Sequence, residues 1–461
     1  MPEGTEHPLS TAGSSSHARR TAFAHAVLLE SRRSPAWLLV PAVVGLGLFA
    51  AFAELKPGVS YWGNAMAASQ ASTIASGPVV SGVAALVASR DHRMGLGWLD
   101  EVAVRGPGFR HGARLLATLL WAWLGQGLVL AAVSTRILVG NTWGDLEPLA
   151  LLISPLGLSA YALFGYLVGV LLPHVLTVPV VALAAFSLHA VGFALSPTAE
   201  ALLPARQQLV DVWTAVPATL HLRLVVWFLG LVLALLAVLV LVCRLRDRHQ
   251  RRRPWRLVAL GAAAVVASLT AIPVLALGGR TTLPAEPPFT PVCTWHGELE
   301  LCLHPAFDHA SADLGARLAV FHEMAGDSPL AFDRVEHRPR GMGEAPVGEG
   351  VAVHLDDTAE GTLVAAVQEL AFNLSGLDEC FRPFDERVEQ GVEDPDAAAG
   401  YNTLVSTAIA QPGVPVADAG GVYREAADFL AGLSVPEWRE WLSRHGAAYQ
   451  GCALTEEAFS R

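Results

Sequence analysis

Long apolar runs dominate roughly the first 280 residues, and an ordinarily polar segment follows them. A run of about 18 or more apolar residues predicts a membrane helix, because a hydrocarbon core ~30 Å thick needs ~20 residues at 1.5 Å each. Such runs predict seven spans, at approximately 35–53, 62–88, 115–137, 149–172, 175–195, 223–243 and 257–278. The pattern therefore predicts a polytopic α-helical protein of the plasma membrane, embedded in the lipid bilayer.

The charges between these runs predict the orientation of the spans. Arginines cluster before the first span, between the second and third, and between the sixth and seventh. Basic loops stay in the cytoplasm, so the amino terminus is predicted to be cytoplasmic. With seven spans the carboxyl-terminal segment becomes extracytoplasmic, whereas six spans would leave it inside. The extra span, 257–278, is thus predicted to place the carboxyl-terminal segment outside the cytoplasm.

The composition narrows the class of protein. With 52% hydrophobic and 16% charged residues, the chain resembles neither a soluble enzyme nor a disordered protein. The formal net charge of -11 is unevenly distributed, because 10 of the 31 basic residues but 30 of the 42 acidic ones follow Arg280. Such an acidic tail repels polyanions, which disfavours nucleic-acid binding. Residues 1–18 are polar, lack an apolar signal-peptide core and are predicted to form a disordered tail.

Cysteines concentrate in the acidic tail, where Cys293, Cys302, Cys380 and Cys452 lie. An even number in an extracytoplasmic domain predicts two disulfides, and number alone permits three pairings. Cys293 and Cys302 flank a predicted hairpin, which favours that pair and leaves Cys380 with Cys452. Reduced buried thiols are an alternative. A zinc site is another, although no short C-x-x-C spacing supports it.

The second predicted span is unusually polar. Asn64, Ser69, Thr73 and Ser76 lie there among alanines and glycines, and the last three fall on one helical stripe. Lipid offers such groups no hydrogen bonds, so they should face other helices or a water-filled path. These four residues are the candidate substrate path. Packing of small residues between helices explains the same pattern and is the favoured alternative.

A charged segment follows this span and reads RDHRMGLGWLDEVAVRGPGFRHGAR from Arg90 to Arg114. Early charges and a glycine precede a proline turn, and a basic helix then enters the third span. On this layout the chain resembles, over roughly residues 20–245, the permease subunits of ABC-2-type transporters. Asp91 stands where that family more often has glutamate, and an arginine takes the place often held by lysine.

The resemblance implies a six-span transmembrane domain over 19–256, with a re-entrant segment at 196–221. It implies that segment 90–114 couples to an ATPase, the residues concerned being Arg90, Asp91, Arg93, Gly95 and Pro107. It also implies a dimer with an identical or a different permease. The sequence has no G-x-x-x-x-G-K-[ST] motif, so ATP hydrolysis is expected on a separate ABC ATPase subunit. No cofactor is expected in this chain.

The segment 279–289 is predicted to be a linker, and 290–461 an α+β domain. Strands are predicted near 290–296, 299–304, 332–338 and 350–355, and helices near 308–325, 358–376, 400–411, 421–433 and 435–448. Ser434 and Glu437 form a predicted capping box before an apolar stripe of Trp438, Trp441 and Leu442. The outline looks like an extracytoplasmic domain fused to some actinobacterial ABC-2-like permeases.

Six histidines between 296 and 354 suggest a metal hydrolase. His322-Glu323 lacks the second histidine of H-E-x-x-H, however, and there is no G-x-S-x-G elbow. Surface histidines without a metal or catalytic site are therefore predicted. The leading hypothesis is a non-enzymatic permease subunit that exports an amphipathic substrate. The alternatives are a membrane-anchored sensor or scaffold and a membrane-tethered hydrolase.

Overall fold

The computed structural model describes residues 12–96, 107–140, 142–195, 203–204, 212–214, 216, 218–246, 289–339, 350–376, 380, 395–416, 421 and 423–460. The chain forms two compact units, one comprising Met1–Leu55, Tyr61–Val139 and Gly144–Glu286, the other Lys56–Ser60, Gly140–Trp143 and Pro287–Arg461. The predicted seventh span, the linker up to 288, most of the re-entrant segment and residues 1–11 of the predicted tail lie outside the described residues.

The first unit consists of helices. They are α1 (Ala12–Arg33), a 3-10 turn (Pro35–Leu38), α2 (Leu39–Glu54), α3 (Trp62–Arg93), α4 (Pro107–Leu138), α5 (Ala150–Leu171), α6 (Thr177–Leu195) and α7 (Ala218–Arg246). Among the described residues, five helical segments are long and apolar enough to cross a membrane: Pro35–Glu54, Trp62–Arg93, Gly108–Leu138, Ala150–Leu171 and Ala218–Cys243. They match the first four predicted spans and the sixth. The fifth matches a shorter apolar helix, Thr177–Gly192, so the count of seven is not confirmed.

Helix α3 packs against α2, α5 and α6 through small side chains. A Cβ atom at Gly165 of α5 would overlap the carbonyl oxygen of Ser81, and one at Gly169 would overlap that of Ala85. The Ser81 hydroxyl also donates a hydrogen bond of 2.9 Å to the Tyr161 carbonyl oxygen. Apolar lipid provides little hydrophobic drive for helices to associate, so close backbone approach of this kind favours the packing of α3 against α5.

Two short strands, β1 (Ser60–Tyr61) and β2 (Thr142–Trp143), pair with each other. A second sheet contains β3 (Val292–His296), β4 (Leu299–Leu303), β5 (Arg334–His337) and β6 (Val351–Val353), in that order. Strands β3 and β4 are antiparallel, whereas β4, β5 and β6 are parallel to one another. Because parallel neighbours need a crossover, α8 (Ser311–Ala325) follows β4 before β5 begins.

The rest of the second unit is helical: α9 (Glu360–Leu374), α10 (Pro395–Ala410), α11 (Tyr423–Ala431) and α12 (Val435–Gln450). The capping box at the start of α12 is present as predicted, with Glu437 accepting a 2.8 Å hydrogen bond from the Ser434 backbone N–H. Trp438, Trp441 and Leu442 are buried, which confirms the predicted stripe. The protein therefore combines a helical unit with a second unit that contains a sheet, as the sequence predicted.

Two disulfides cross-link the second unit. Cys293 and Cys302 lie opposite each other on β3 and β4 and are bonded, and Cys380 is bonded to Cys452. These are the pairs that the hairpin argument favoured. The first joins neighbouring strands across a separation of 9 residues, whereas the second closes a loop of 72.

Two of the six histidines are core residues, so the prediction of surface histidines is wrong for His304 and His337. His304 is fully buried, and its Nδ1 accepts a 3.1 Å hydrogen bond from the Ala306 N–H. The His337 ring lies 4.6 Å from that of Phe307. Burial lowers the pKa of His304 to about 4 and that of His337 to about 3, because an apolar core disfavours the charged form.

The long-range disulfide should stabilise the second unit more than the hairpin disulfide. Replacing Cys380 and Cys452 by alanine should lower the free energy of unfolding by roughly 4 kcal/mol, and replacing Cys293 and Cys302 by roughly 2.5 kcal/mol, because the longer loop restrains the unfolded chain more. Pulse proteolysis of the full-length protein in denaturant measures both losses. Equal losses, or the reverse order, would contradict this ranking.

The buried histidines should make the second unit less stable in acid. In the unfolded chain both histidines take up protons below about pH 6.5, whereas in the fold they stay neutral down to about pH 4 and pH 3. Stability should therefore fall as the pH drops through that window, by about 2 kcal/mol per histidine between pH 7 and 5. The same proteolysis assay tests this. His337→Gln should flatten the pH dependence, and a variant whose stability falls with pH as steeply as that of the wild type would contradict this account.

Candidate functional site

A cluster of ion pairs joins α1, α3 and α4 in the first unit. Asp91, near the end of α3, accepts hydrogen bonds of 2.7 and 2.9 Å from the two terminal nitrogens of Arg114 on α4. Arg110, one turn earlier on α4, donates a 2.7 Å bond to the same carboxylate. Arg114 also donates through Nε to Glu30 of α1, at 3.1 Å. One guanidinium therefore connects three helices.

The centre of this cluster is shielded from water. The side chain of Arg114 is 6% exposed and that of Asp91 is 13% exposed, whereas Glu30 is 25% exposed. The planar guanidinium matches the carboxylate at both oxygens, a geometry that only arginine supplies. Removing one partner would leave the other charge buried and unpaired, which is the costly outcome for a buried ion pair.

The cluster extends toward α5 through an aromatic contact. Nδ1 of His111 on α4 lies 2.9 Å from the hydroxyl of Tyr166 on α5. The Tyr166 side chain is fully buried, and its ring meets that of His111 edge to face. The first turns of α4 are thus held on one side by α1 and α3 and on another by α5.

Helix α3 ends at a glycine directly beyond the cluster. Gly95 has φ of +68°, its N–H donates to the His92 carbonyl oxygen, and the Leu96 N–H donates to that of Asp91. This is a Schellman motif, which requires the left-handed conformation that glycine adopts without strain. The structure thus gives Gly95 a backbone role, which is to end α3 immediately after the charged turn.

The other predicted coupling residues have different surroundings. Arg90 approaches Glu30 at 3.9 Å. Arg93 is exposed and donates a long bond of 3.4 Å to the Leu86 carbonyl oxygen of its own helix. Pro107 is the first residue of α4, where its missing N–H costs nothing. Residues 97–106, the middle of the predicted coupling segment 90–114, lie outside the described residues.

Sequence reasoning missed Glu30 and counted Arg114 only as a basic residue of a cytoplasmic loop. A signal was available, because Glu30 is the only acidic residue between His7 and Ala53 and lies beside Arg32 and Arg33. A lone acid in a basic segment next to a span suggests a partner. Which arginine it meets depends on how α1 packs against α4.

Polar side chains also meet inside the helix bundle. Gln126 of α4 donates a 3.1 Å bond to Ser72 of α3, and the Ser154 hydroxyl of α5 donates a 3.0 Å bond to the Ser69 carbonyl oxygen. The Ser69 and Ser154 hydroxyls lie 3.4 Å apart. These contacts satisfy polar groups that lipid would leave without partners.

The four residues of the candidate substrate path are all buried. Asn64 donates a 3.0 Å bond to the Glu54 carbonyl oxygen, which ties α3 to α2. Thr73 and Ser76 donate to carbonyl oxygens one turn earlier in α3, at 2.6 and 2.9 Å. Such contacts fit helix packing, and a role in a substrate path stays a prediction.

Two further histidines of the second unit contact backbone carbonyl oxygens. His322 and His354 are within 2.7 and 2.8 Å of the carbonyl oxygens of Phe332 and Arg338. In the described part of the chain, the one group with metal-ligand spacing is Cys293, Glu300 and Cys302. Both of its sulfurs belong to the hairpin disulfide, so they are not thiolate ligands in this state.

The ion pair between Asp91 and Arg114 should behave as a unit. Asp91→Asn should lower the free energy of unfolding by about 3 kcal/mol or more, because it strands a buried guanidinium. Adding Arg114→Met should recover part of that loss, since the second change removes the stranded charge. Denaturant unfolding of the full-length protein in detergent, as a double-mutant cycle, measures the coupling. Additive losses would show that the two side chains act independently.

The described geometry is that of a clamp. It fixes the end of α3 and the start of α4, the two helices that bracket residues 97–106, to α1 and α5. Comparisons with protein-family models, with curated proteins and with solved structures find no match to this chain.

Proposed function

We propose that this protein is the permease subunit of an ABC-2-like exporter, driven by a separate ATPase subunit that contacts segment 90–114. The observation that carries the proposal is the clamp centred on Arg114, which ties the ends of α3 and α4 to α1. A coupling segment must transmit motion to the helices that flank it. Flanking ends that are locked together would move as one body when the segment is displaced.

The exposed charge next to the clamp supports a partner at the same place. Asp91 and Glu30 form ion pairs with Arg114, Arg110 and Arg90, which leaves this group with one net positive charge, and Arg93 lies exposed on the last turn of α3. An exposed basic residue adjoining residues 94–106 is suited to an acidic surface on a cytoplasmic partner. Interface charges of this kind set association rate and register more than raw affinity.

The chain segments that make up the second unit support an extracytoplasmic position for it. That unit includes Lys56–Ser60 and Gly140–Trp143, the short loops after α2 and α4. The Thr358 N–H donates a 3.0 Å bond to the Pro57 carbonyl oxygen, and the Trp143 ring lies 4.9 Å from that of His304. In sequence, the two loops follow the carboxyl ends of α2 and α4, whereas arginines cluster before the amino end of α2 and around that of α4. Two disulfides fit an oxidising compartment as well.

In this proposal each part has a distinct task. The helices of the first unit form the pathway, together with those of a second permease subunit, identical or different. The ATPase supplies the energy, since this sequence has no phosphate-binding loop of its own. The exported substrate is amphipathic, and the second unit lies on the side where it is released.

The ATPase contact is tested by substituting Arg93. The tagged full-length protein, purified from its native membranes in mild detergent, should bring down a protein with a phosphate-binding loop and show ATP hydrolysis. Arg93→Gln should lower the hydrolysis recovered by about fivefold, the effect of losing ~1 kcal/mol at an interface. Because Arg93 is exposed and makes one long bond among the described residues, the fold should be unaffected.

Arg136→Gln is the matched control, since this residue is in the last turn of α4, at the far end from the clamp. It should leave hydrolysis unchanged. The proposal fails if no such ATPase accompanies the wild-type protein. It fails equally if Arg93→Gln and Arg136→Gln recover the same activity as wild type.

A further inference from the structure

An apolar groove of about 840 Å³ runs between α1 and α4 in the first unit. Its lining forms one stripe on each helix: Arg20, Phe23, Ala24, Val27, Leu28 and Ser31 on α1, and Phe109, Leu116 and Leu120 on α4. The spacing of three and four residues on α1 is that of a single helical face. Two faces therefore oppose each other without filling the space between them.

The groove has a direction, because the two helices run the same way. Phe23 packs on Phe109 with ring centroids 5.4 Å apart, and eight residues later the Ser31 carbonyl oxygen accepts a 3.2 Å bond from the Trp121 indole. One end of the groove is thus at Arg20 and Phe109, near the start of α4. The other end is beside Leu120, within the candidate membrane span Gly108–Leu138.

The chemistry of the lining changes along this direction. Arg20 is the one charged side chain among the described lining residues, and it is exposed at the end nearer the amino terminus. Leu28 and Leu120 are 48% and 45% exposed. Exposed leucines on a membrane helix face lipid rather than water. A groove that is apolar along its length and cationic at one end matches a lipid with an anionic headgroup.

We propose that this groove binds an anionic phospholipid of the cytoplasmic leaflet, with an acyl chain between α1 and α4 and the headgroup phosphate paired with Arg20. The orientation agrees with that of a lipid in the leaflet, because the charged end is near the start of α4 and the apolar end is deeper in the span. Arg32 and Arg33, exposed on the last turn of α1, lie roughly 18 Å along the helix from Arg20 and are not part of this headgroup contact. The inference does not depend on the ATPase contact proposed above.

Lipid retention by the purified full-length protein tests this site. Native mass spectrometry, after equilibration in detergent with equal amounts of phosphatidylglycerol and phosphatidylcholine, should show phosphatidylglycerol bound in about fivefold excess, from ~1 kcal/mol per arginine. Arg20→Gln should remove that preference while phosphatidylcholine still binds. Leu120→Trp should fill the groove and reduce the retention of both lipids by about tenfold, because at least two methylenes of the lipid's acyl chain are then no longer buried.

Leu128→Trp is the matched control, since Leu128 lies on the same helix, is 47% exposed and does not line the groove. It should retain lipid as wild type does. Equal loss in both tryptophan variants would mean that any bulky change on α4 displaces lipid, and the site would be rejected. A preference for phosphatidylglycerol that survives Arg20→Gln would reject the headgroup contact.

Discussion

The pairing of Arg114 with Asp91 and Glu30 is the interaction on which the first unit depends. A guanidinium that is 6% exposed, on a helix long and apolar enough to cross a membrane, requires compensation from within the protein. Asp91 supplies it at both terminal nitrogens and Glu30 at the third. Because these acids belong to two other helices, satisfying one charge also determines how α1, α3 and α4 are arranged. The clamp that underlies the proposed coupling role follows from this electrostatic need.

The same requirement explains the polar interior of the bundle. Ser69, Ser72, Gln126 and Ser154 form hydrogen bonds with one another or with nearby carbonyl oxygens, and glycines on α5 let its backbone approach that of α3. Polar groups in this bundle therefore specify which helices meet. The polar side chains of α3 thus help to hold the helices together, and the path predicted for four of them stays a prediction.

The second unit is stabilised by different forces. A buried core that includes His304, His337 and Trp438 forms around a four-stranded sheet, and two disulfides cross-link the unit, one of them between neighbouring strands of that sheet. The loops Lys56–Ser60 and Gly140–Trp143 are part of this unit, although in sequence they lie between helices of the first unit. The chain thus places residues from distant positions around His304, one of which is Trp143.

Local patterns in the sequence determined the helices of both units, the capping box at Ser434 and the favoured cysteine pairs, because hydropathy, caps and hairpin spacing act over a few residues. Tertiary structure alone decided the rest. Glu30 and Arg114 are 84 residues apart, so no local pattern identifies them as partners. The burial of His304 and His337 depends on which strands and loops pack around them, and polarity alone had predicted exposure. The sequence singled out Gly95 as a coupling residue, whereas its role in ending α3 follows from its backbone conformation.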